Sequence, residues 1–133
     1  MSPAGPTVYI VDDDNAVRHS LEWLLAGDDF AIRTFASAHE FLEAFDPSHP
    51  GCLVVDVRMP GMTGLELQRE LAARSIDLPV IIITGHSDRQ MALKAKHAGA
   101  MDFLEKPLDD RVLVKLIHKA LGREEPAASE TES

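Results

Sequence analysis

The chain of 133 residues contains one cysteine, one tryptophan and one tyrosine. A single thiol permits no internal disulfide, and because Cys52 sits in an apolar run we expect it to be buried and reduced, which is typical of a cytosolic protein. No secretory signal precedes the first predicted strand, and no apolar run approaches the ~20 residues that span a bilayer. The sequence therefore predicts a soluble, cytoplasmic domain.

Positive charge is scarce as well, since 13 basic residues stand against 22 acidic ones, for a net charge of −9 at pH 7. This balance repels phosphate backbones and anionic lipids, so we expect the chain to bind neither nucleic acid nor a membrane directly. The length and a hydrophobic fraction of 45% suffice for one compact domain, which we place at residues 7–121. The acidic, aperiodic residues 122–133 predict a disordered tail or the start of a linker to an output domain.

Five short apolar runs alternate with five segments of helical periodicity. The predicted strands cover residues 7–11, 30–35, 52–57, 79–84 and 101–105. Two of the predicted helices cover residues 15–26 and 88–98. The other three begin after a cap at Ser37, after a turn at residues 59–64, and at Asp109. Because neighbouring parallel strands need a crossover helix, this alternation predicts an α/β fold, an open and doubly wound sheet of five parallel strands with five helices.

Polar side chains fall where four of the predicted strands end, at the sheet edge that binds ligands in open α/β folds. These residues are Asp12, Asp13 and Asp14 after strand one, Asp56 in strand three, Thr84 in strand four and Lys106 after strand five. Taken singly, most are explained by a helix cap, a strand terminator or a surface lysine. Asp56 is not, because an unpaired carboxylate in an apolar strand is costly unless a positive group meets it.

Taken together, these residues predict phosphoryl chemistry. Carboxylates that converge on one crevice repel one another and call for a hard divalent cation, and oxygen-only ligands favour Mg²⁺, or Mn²⁺, over zinc. A lysine and a hydroxyl at the same place supply a positive charge and a donor for phosphoryl oxygens. A carboxylate can act as the nucleophile that forms an aspartyl phosphate, and Asp56 is the natural choice.

Four segments carry a resemblance to a known family: YIVDDD, VVDVRMPGMTG, IIITGH and DFLEKP. Over residues 7–121 the sequence resembles the receiver domains of two-component response regulators and is most similar to the FixJ-type transcriptional subgroup. The resemblance implies a flavodoxin-like sheet of order 2-1-3-4-5. It also implies a cis peptide between Lys106 and Pro107. We further expect Gly64 to end the turn after Asp56 with an unusual φ.

The resemblance implies that Asp56 accepts a phosphoryl group from a histidine of a sensor histidine kinase. Magnesium, or manganese, would be held by Asp13, Asp56 and the main-chain carbonyl of Arg58, with Asp12 acting through water. Asp14 is then left to cap the first helix. A domain of this kind catalyses only its own phosphorylation and dephosphorylation, so we expect a conformational switch rather than an enzyme acting on an external substrate.

By the same resemblance, Lys106 would pair with the phosphoacceptor at rest and with the phosphoryl group afterwards. Thr84 would donate its hydroxyl to a phosphoryl oxygen and move toward it, and Phe103 would rotate into the vacated space. Arg58 and His86 occupy positions that tune the hydrolysis of the acyl phosphate in this family. These roles are expectations of the resemblance, not results of spacing or composition.

The expected output is a new surface on helix four, strand five and helix five. Helix four has few large apolar anchors beyond Met91 and Leu93, so its packing should be easy to rearrange. We expect this face to form a phosphorylation-dependent homodimer or to bind an output partner that controls transcription. The charges that it offers to a partner are Lys94, Lys96, Asp102 and Arg111.

Two alternatives remain at this point. One is a stand-alone receiver that acts by binding other proteins. The other is a haloacid-dehalogenase-type phosphatase, which also forms an aspartyl phosphate and begins with a DxD motif that Asp12 and Asp14 would fit. That class needs a further acidic pair well beyond the lysine, whereas Asp109 and Asp110 follow Lys106 closely and Asp56 would have no role.

Overall fold

The computed structural model describes residues 6–26, 30–49 and 51–122 of the chain. Residues 123–133, most of the expected tail or linker, lie outside the described part. Within it, five strands alternate with five helices. The strands are β1 (Thr7–Val11), β2 (Ala31–Phe35), β3 (Gly51–Asp56), β4 (Val80–Thr84) and β5 (Asp102–Glu105). The helices are α1 (Asn15–Leu25), α2 (Ala38–Ala44), α3 (Gly64–Ala73), α4 (Arg89–His97) and α5 (Asp110–Ala120).

The strands form one parallel sheet in the order β2-β1-β3-β4-β5. The predicted fold class and the strand order implied by the resemblance are therefore confirmed. One local feature was not predicted, a 3-10 turn over His86–Asp88 that leads into α4. Because this turn joins the end of β4 to α4, its position bears on the site described below.

The sheet separates two apolar layers that hold the helices against it. One layer contains Phe41 of α2, Leu67 of α3 and Ala92 of α4, all fully buried. The other layer contains Leu25 of α1 and Ile117 of α5. All six residues of β3 are buried, as its continuous apolar run predicts for a central parallel strand.

The register of the sheet brings the predicted site residues to one edge. Val11 pairs with Val55, so the next residues along their strands, Asp12 and Asp56, lie level with each other. Thr84, the last residue of β4, pairs with Glu105, the last residue of β5. The carboxyl ends of β1, β3, β4 and β5 therefore present their polar side chains together.

Side-chain caps fix where the helices begin next to this edge. Asp14 accepts a hydrogen bond from the Ala16 N–H at 2.9 Å and caps α1, which is the role expected for it. Thr63 and Glu66 form a reciprocal capping box at the start of α3. With Asp14 used as a cap, Asp12 and Asp13 are the aspartates after β1 that remain for other chemistry.

The loop from β3 to α3 is tight, and Gly64 allows it to be. A Cβ atom on Gly64 would lie 3.0 Å from the Asp56 carbonyl oxygen and 3.0 Å from Val57 Cα. The unusual φ expected at this residue was wrong, since the positive φ in this loop is at Gly61, +84°. Gly64 is needed because the start of α3 approaches the β3 backbone closely.

The large apolar side chains that remain exposed are Trp23 on α1 and Val112 on α5, within the residues described here. The Trp23 side chain is 85% exposed. Across the same residues, no helix has the length and apolar character needed to cross a bilayer.

We predict that Cys52 resists alkylation until the domain unfolds. Its side chain is fully buried in β3, and burial raises the pKa of the thiol to about 12. At pH 8 the native protein therefore keeps the alkylating reagent away from the sulfur and holds it as the unreactive thiol. Intact-mass measurement after iodoacetamide treatment, with and without 8 M urea as a control for reactivity, tests this. Labelling of the native protein at the rate of the denatured protein would contradict it.

Candidate functional site

An ion pair between Asp56 and Lys106 lies at the centre of the polar edge. Asp56 ends β3 and is 8% exposed. Its Oδ2 accepts a hydrogen bond from Lys106 Nζ at 2.9 Å, and its Oδ1 accepts one from the Arg58 backbone N–H, also at 2.9 Å. Both carboxylate oxygens thus have a donor, which meets the need for a positive partner inferred from the sequence.

Lys106 keeps its charge in this position. Burial lowers the pKa of its ammonium group, but the hydrogen bond to Asp56 and the carboxylates of Asp56, Asp12 and Asp14 outweigh burial and raise the pKa above its ordinary value. The peptide between Lys106 and Pro107 is cis, as the resemblance implies. A permanent cation therefore faces the Asp56 carboxylate.

Asp12 adds a second buried carboxyl group next to Asp56. It is 3% exposed, and its Oδ1 accepts a hydrogen bond from the Asp14 N–H at 2.8 Å. Burial and the negative charges of Asp56 and Asp13 raise the pKa of Asp12 to about 6, against the lowering effect of the Asp14 N–H and of Lys106. Negative charge at this edge is therefore in excess of what Lys106 compensates.

This donor set fits a divalent cation in its chemistry. Asp12 and Asp56 are oxygen donors that feel each other's charge, and Asp13 is exposed beside them. Among the residues that the structure describes, however, no three acidic, histidine or cysteine side chains are grouped closely enough to form a ready-made metal site. The ligand roles of Asp13 and of the Arg58 carbonyl stay predictions.

Thr84 and Phe103 occupy the neighbouring strands. Thr84 is fully buried at the end of β4, and its hydroxyl donates to the Gly85 carbonyl at 3.0 Å. Phe103 on β5 is half-buried and packs against the layer formed with α2, α3 and α4. The His86 side chain, expected to tune hydrolysis, lies outside the part that the structure describes, although its backbone belongs to the 3-10 turn.

A forked ion pair between Arg58 and Asp88 was missed by the sequence analysis. Arg58 Nε donates to Asp88 Oδ1 at 3.1 Å and to Oδ2 at 3.0 Å, and Arg58 Nη2 donates to Oδ1 at 2.5 Å. Asp88 belongs to the 3-10 turn before α4. The two residues are 30 positions apart, on separate loops, so no local pattern in the sequence signals their contact.

Comparison with known proteins decides the family. A profile for the response regulator receiver domain matches residues 8–118. The transcriptional regulatory protein FixJ of Azorhizobium caulinodans is 47% identical over 91% of this chain and 57% of its own length. The chain belongs to the response regulator receiver family. The response regulator protein TodT of Pseudomonas putida is 44% identical over 91% of this chain and 53% of its own length.

Solved structures place the receiver domain in the same group. The crystal structure of FixJ-N has a TM-score of 0.82 and 46% identity, and the match covers 92% of this chain and 96% of that one. Full-length FixJ from B. japonicum has a TM-score of 0.83 and 40% identity, and the match covers 96% of this chain and 63% of that one. The receiver domain spans just over half the length of the curated relatives, 57% and 53%. The family assignment replaces the phosphatase alternative, which left Asp56 without a role.

The face expected to act as the output surface is only loosely anchored in the receiver domain. Met91 and Leu93, the expected anchors of α4, are half-buried, and the residues that α4 buries are Ala92 and Ala95. The expected scarcity of large buried anchors is therefore confirmed, since α4 lies close to the sheet through small side chains and Met91 packs against the same layer only half-buried. Of the four interface charges, two pair with each other, since Lys96 Nζ lies 3.3 Å from Asp102 Oδ1. The other two, Lys94 and Arg111, are exposed.

We predict that Asp12→Asn stabilises the metal-free receiver domain by about 2 kcal/mol at pH 7. The amide removes a buried charge, whose pKa is raised to about 6, and its oxygen can still accept from the Asp14 N–H. The folded domain binds the Asp12 proton more tightly than the unfolded chain does, so this group costs wild type stability as pH rises from about 4 to about 6.

Urea unfolding followed by circular dichroism in EDTA, at four pH values between 4 and 7, measures the difference between wild type and variant. The difference in the free energy of unfolding should be small near pH 4 and should grow as pH rises across that window. Asp77→Asn, an exposed residue between α3 and β4, is the control and should change stability little at any pH. A difference that is absent at pH 7 would contradict the prediction.

Proposed function

We propose that the receiver domain accepts a phosphoryl group on Asp56 from a phosphohistidine of a sensor histidine kinase. The observation that carries the proposal is a buried carboxylate at the end of an otherwise apolar central strand, paired with the permanent cation of Lys106. A carboxylate oxygen of Asp56 attacks phosphorus, and the phosphorus–nitrogen bond of the phosphohistidine breaks. No external metabolite is turned over, so the domain works as a switch rather than as an enzyme.

Lys106 and Thr84 act on the phosphoryl group once it is attached. Lys106 already lies 2.9 Å from Asp56 Oδ2 and neutralises charge on a neighbouring phosphoryl oxygen without a large movement. Thr84 must exchange partners, since its hydroxyl is now donated to the Gly85 carbonyl. Transfer of that hydrogen bond to a phosphoryl oxygen draws the end of β4 toward Asp56.

Magnesium, or manganese, is the proposed cofactor. Asp13, Asp56 and the Arg58 main-chain carbonyl would hold it directly, and Asp12 would hold it through water. When bound, the ion neutralises charge that develops on the transferring phosphoryl group. The excess negative charge around Asp12 and Asp56 supports a cation here, because a divalent ion would offset the repulsion that raises the pKa of Asp12.

The proposed output is a change on the face formed by α4, β5 and α5. Movement of Thr84 lets Phe103, now half-buried, turn inward. The alanine contacts of α4 bury little apolar area, so a shift of this helix costs little. The altered face then binds a second copy of the domain or an output partner. Because the match covers 57% and 59% of the length of curated relatives that are named as transcriptional regulatory proteins, we favour a transcriptional output domain over a stand-alone receiver.

We predict Mg²⁺-dependent gain of one phosphoryl group from acetyl phosphate, abolished in Asp56→Asn. Intact-mass measurement gives the stoichiometry directly. Asp77→Asn, which removes one exposed aspartate between α3 and β4, is the matched control and should be phosphorylated as fast as wild type. If Asp56→Asn gained the same mass at the same rate, another residue would be the nucleophile.

We predict that beryllofluoride, a stable phosphoryl mimic, converts wild type from monomer to dimer and that Thr84→Ala does not respond. The alanine variant lacks the hydroxyl that must move from the Gly85 carbonyl to the phosphoryl position. Sedimentation velocity with and without beryllofluoride measures the change, and Thr84→Ser, which keeps the hydroxyl, is the control. A wild type that stays monomeric would remove homodimerisation, and dimerisation of Thr84→Ala would remove the role of its hydroxyl.

A further inference from the structure

Arg58 connects the phosphoacceptor to the turn before α4. Its backbone N–H donates to Asp56 Oδ1 at 2.9 Å, while its guanidinium holds both carboxylate oxygens of Asp88. One residue thus touches the acceptor carboxylate through its main chain and the 3-10 turn through its side chain. A change in charge at Asp56 therefore occurs close to a cation whose present partner belongs to a different loop.

The geometry of the ion pair makes it stronger than an ordinary surface contact. The Asp88 carboxylate is largely shielded, since its side chain is 10% exposed, whereas the Arg58 side chain is 68% exposed. Three hydrogen bonds in a fork hold the guanidinium in one orientation. The exposed side of Arg58 leaves the guanidinium free to reorient if a better anion becomes available.

A phosphoryl group on Asp56 is such an anion. It carries close to two negative charges, one more than the Asp56 carboxylate that it replaces, and three acceptor oxygens, against the single negative charge of Asp88. Arginine binds phosphoryl oxygens through the same planar fork that it uses for carboxylates. The hydrogen bonds and charge of Asp88, and to a smaller extent the charge of Asp56, raise the pKa of the Arg58 guanidinium, so both anions lie near enough to compete for this cation.

We propose that Asp88 is a positioning residue that holds the Arg58 guanidinium against the turn before α4 at rest and loses it to the phosphoryl group on Asp56. This exchange rests on the proposed phosphorylation of Asp56 and gives that site a second route to α4, besides Thr84. Loss of the fork frees Asp88, and with it the 3-10 turn that begins α4. Asp88 itself does not touch the reacting atoms.

The exchange predicts opposite effects for the two members of one ion pair. Asp88→Asn removes the competitor and should raise the affinity for beryllofluoride about fivefold, a factor in the range of a forked, partly shielded pair. Arg58→Gln removes the cation that binds the phosphoryl mimic and should lower that affinity. In an Arg58→Gln background, Asp88→Asn should have no further effect, because its action passes through Arg58. A merely structural ion pair would shift both single variants in the same direction.

Titration of each purified protein with beryllofluoride in Mg²⁺, followed by ¹⁹F NMR of the bound fluoride, measures these affinities. Arg58→Lys keeps the positive charge but loses the fork, so its affinity should lie between those of Arg58→Gln and wild type. Equal affinities in Asp88→Asn and wild type, or an Asp88→Asn effect that persists in Arg58→Gln, would overturn the exchange.

A second readout separates this proposal from the phosphorylation proposal. The Arg58 Nε–H signal in ¹⁵N NMR should differ between wild type and Asp88→Asn before any beryllofluoride is added, and should change again in wild type on binding. Binding of beryllofluoride that leaves the wild-type signal unchanged would overturn the exchange alone. Absence of beryllofluoride binding to wild type would overturn both proposals, while the resting signal would still report the ion pair.

Discussion

An ionised carboxylate at the end of a buried strand is the constraint on which the rest of the domain depends. All six residues of β3 are buried, and Asp56 is the last of them. Its charge is tolerated because Lys106 reaches it from a loop 50 positions away in the chain. That contact requires β4 and β5 to lie between the two residues in the correct register, so the sheet order and the ion pair depend on each other.

The sheet with its apolar layers and helix α4 differ in how firmly side-chain packing holds them. The sheet and its layers are closed by large apolar side chains, such as Leu25 and Ile117 on one face and Phe41 on the other. Beside the site, α4 lies against the sheet through Ala92 and Ala95 and is tied to the phosphoacceptor loop by polar groups. Apolar packing is insensitive to a new charge nearby, whereas an ion pair can rearrange in response to one. The domain thus combines a fixed acceptor with a neighbour that can respond to it.

Much of the fold and the centre of the site could be predicted from the sequence, because both follow from periodic burial. Continuous apolar runs marked the strands, and Asp56 stood out as a charge with no local explanation. The cap at Asp14 followed from its place before α1, and the structure has it there. These are consequences of hydrophobicity and of local hydrogen bonding, which a linear sequence records.

The remainder depends on contacts between loops, which no period in the sequence records. The fork between Arg58 and Asp88 joins two turns far apart in the chain. Gly64 was singled out for its backbone freedom, yet what it supplies is the absence of a Cβ atom against the β3 backbone. The sequence indicated that α4 has few large anchors, but not that Ala92 and Ala95 bring the helix close to the sheet. In each case the missing information is the distance between two elements, not the character of either.

The position of Trp23 determines what intrinsic tryptophan fluorescence can report about this domain. Its indole is 85% exposed on α1, and it follows the start of that helix at Asn15 by about 12 Å along the axis, away from the acidic edge. Tryptophan emission will therefore change when the outer face of α1 makes contacts, and it will change little when a cation or a phosphoryl group binds beside Asp56. A fluorescent probe of the switch has to be introduced, and the surface of α4 is where an indole would sense it.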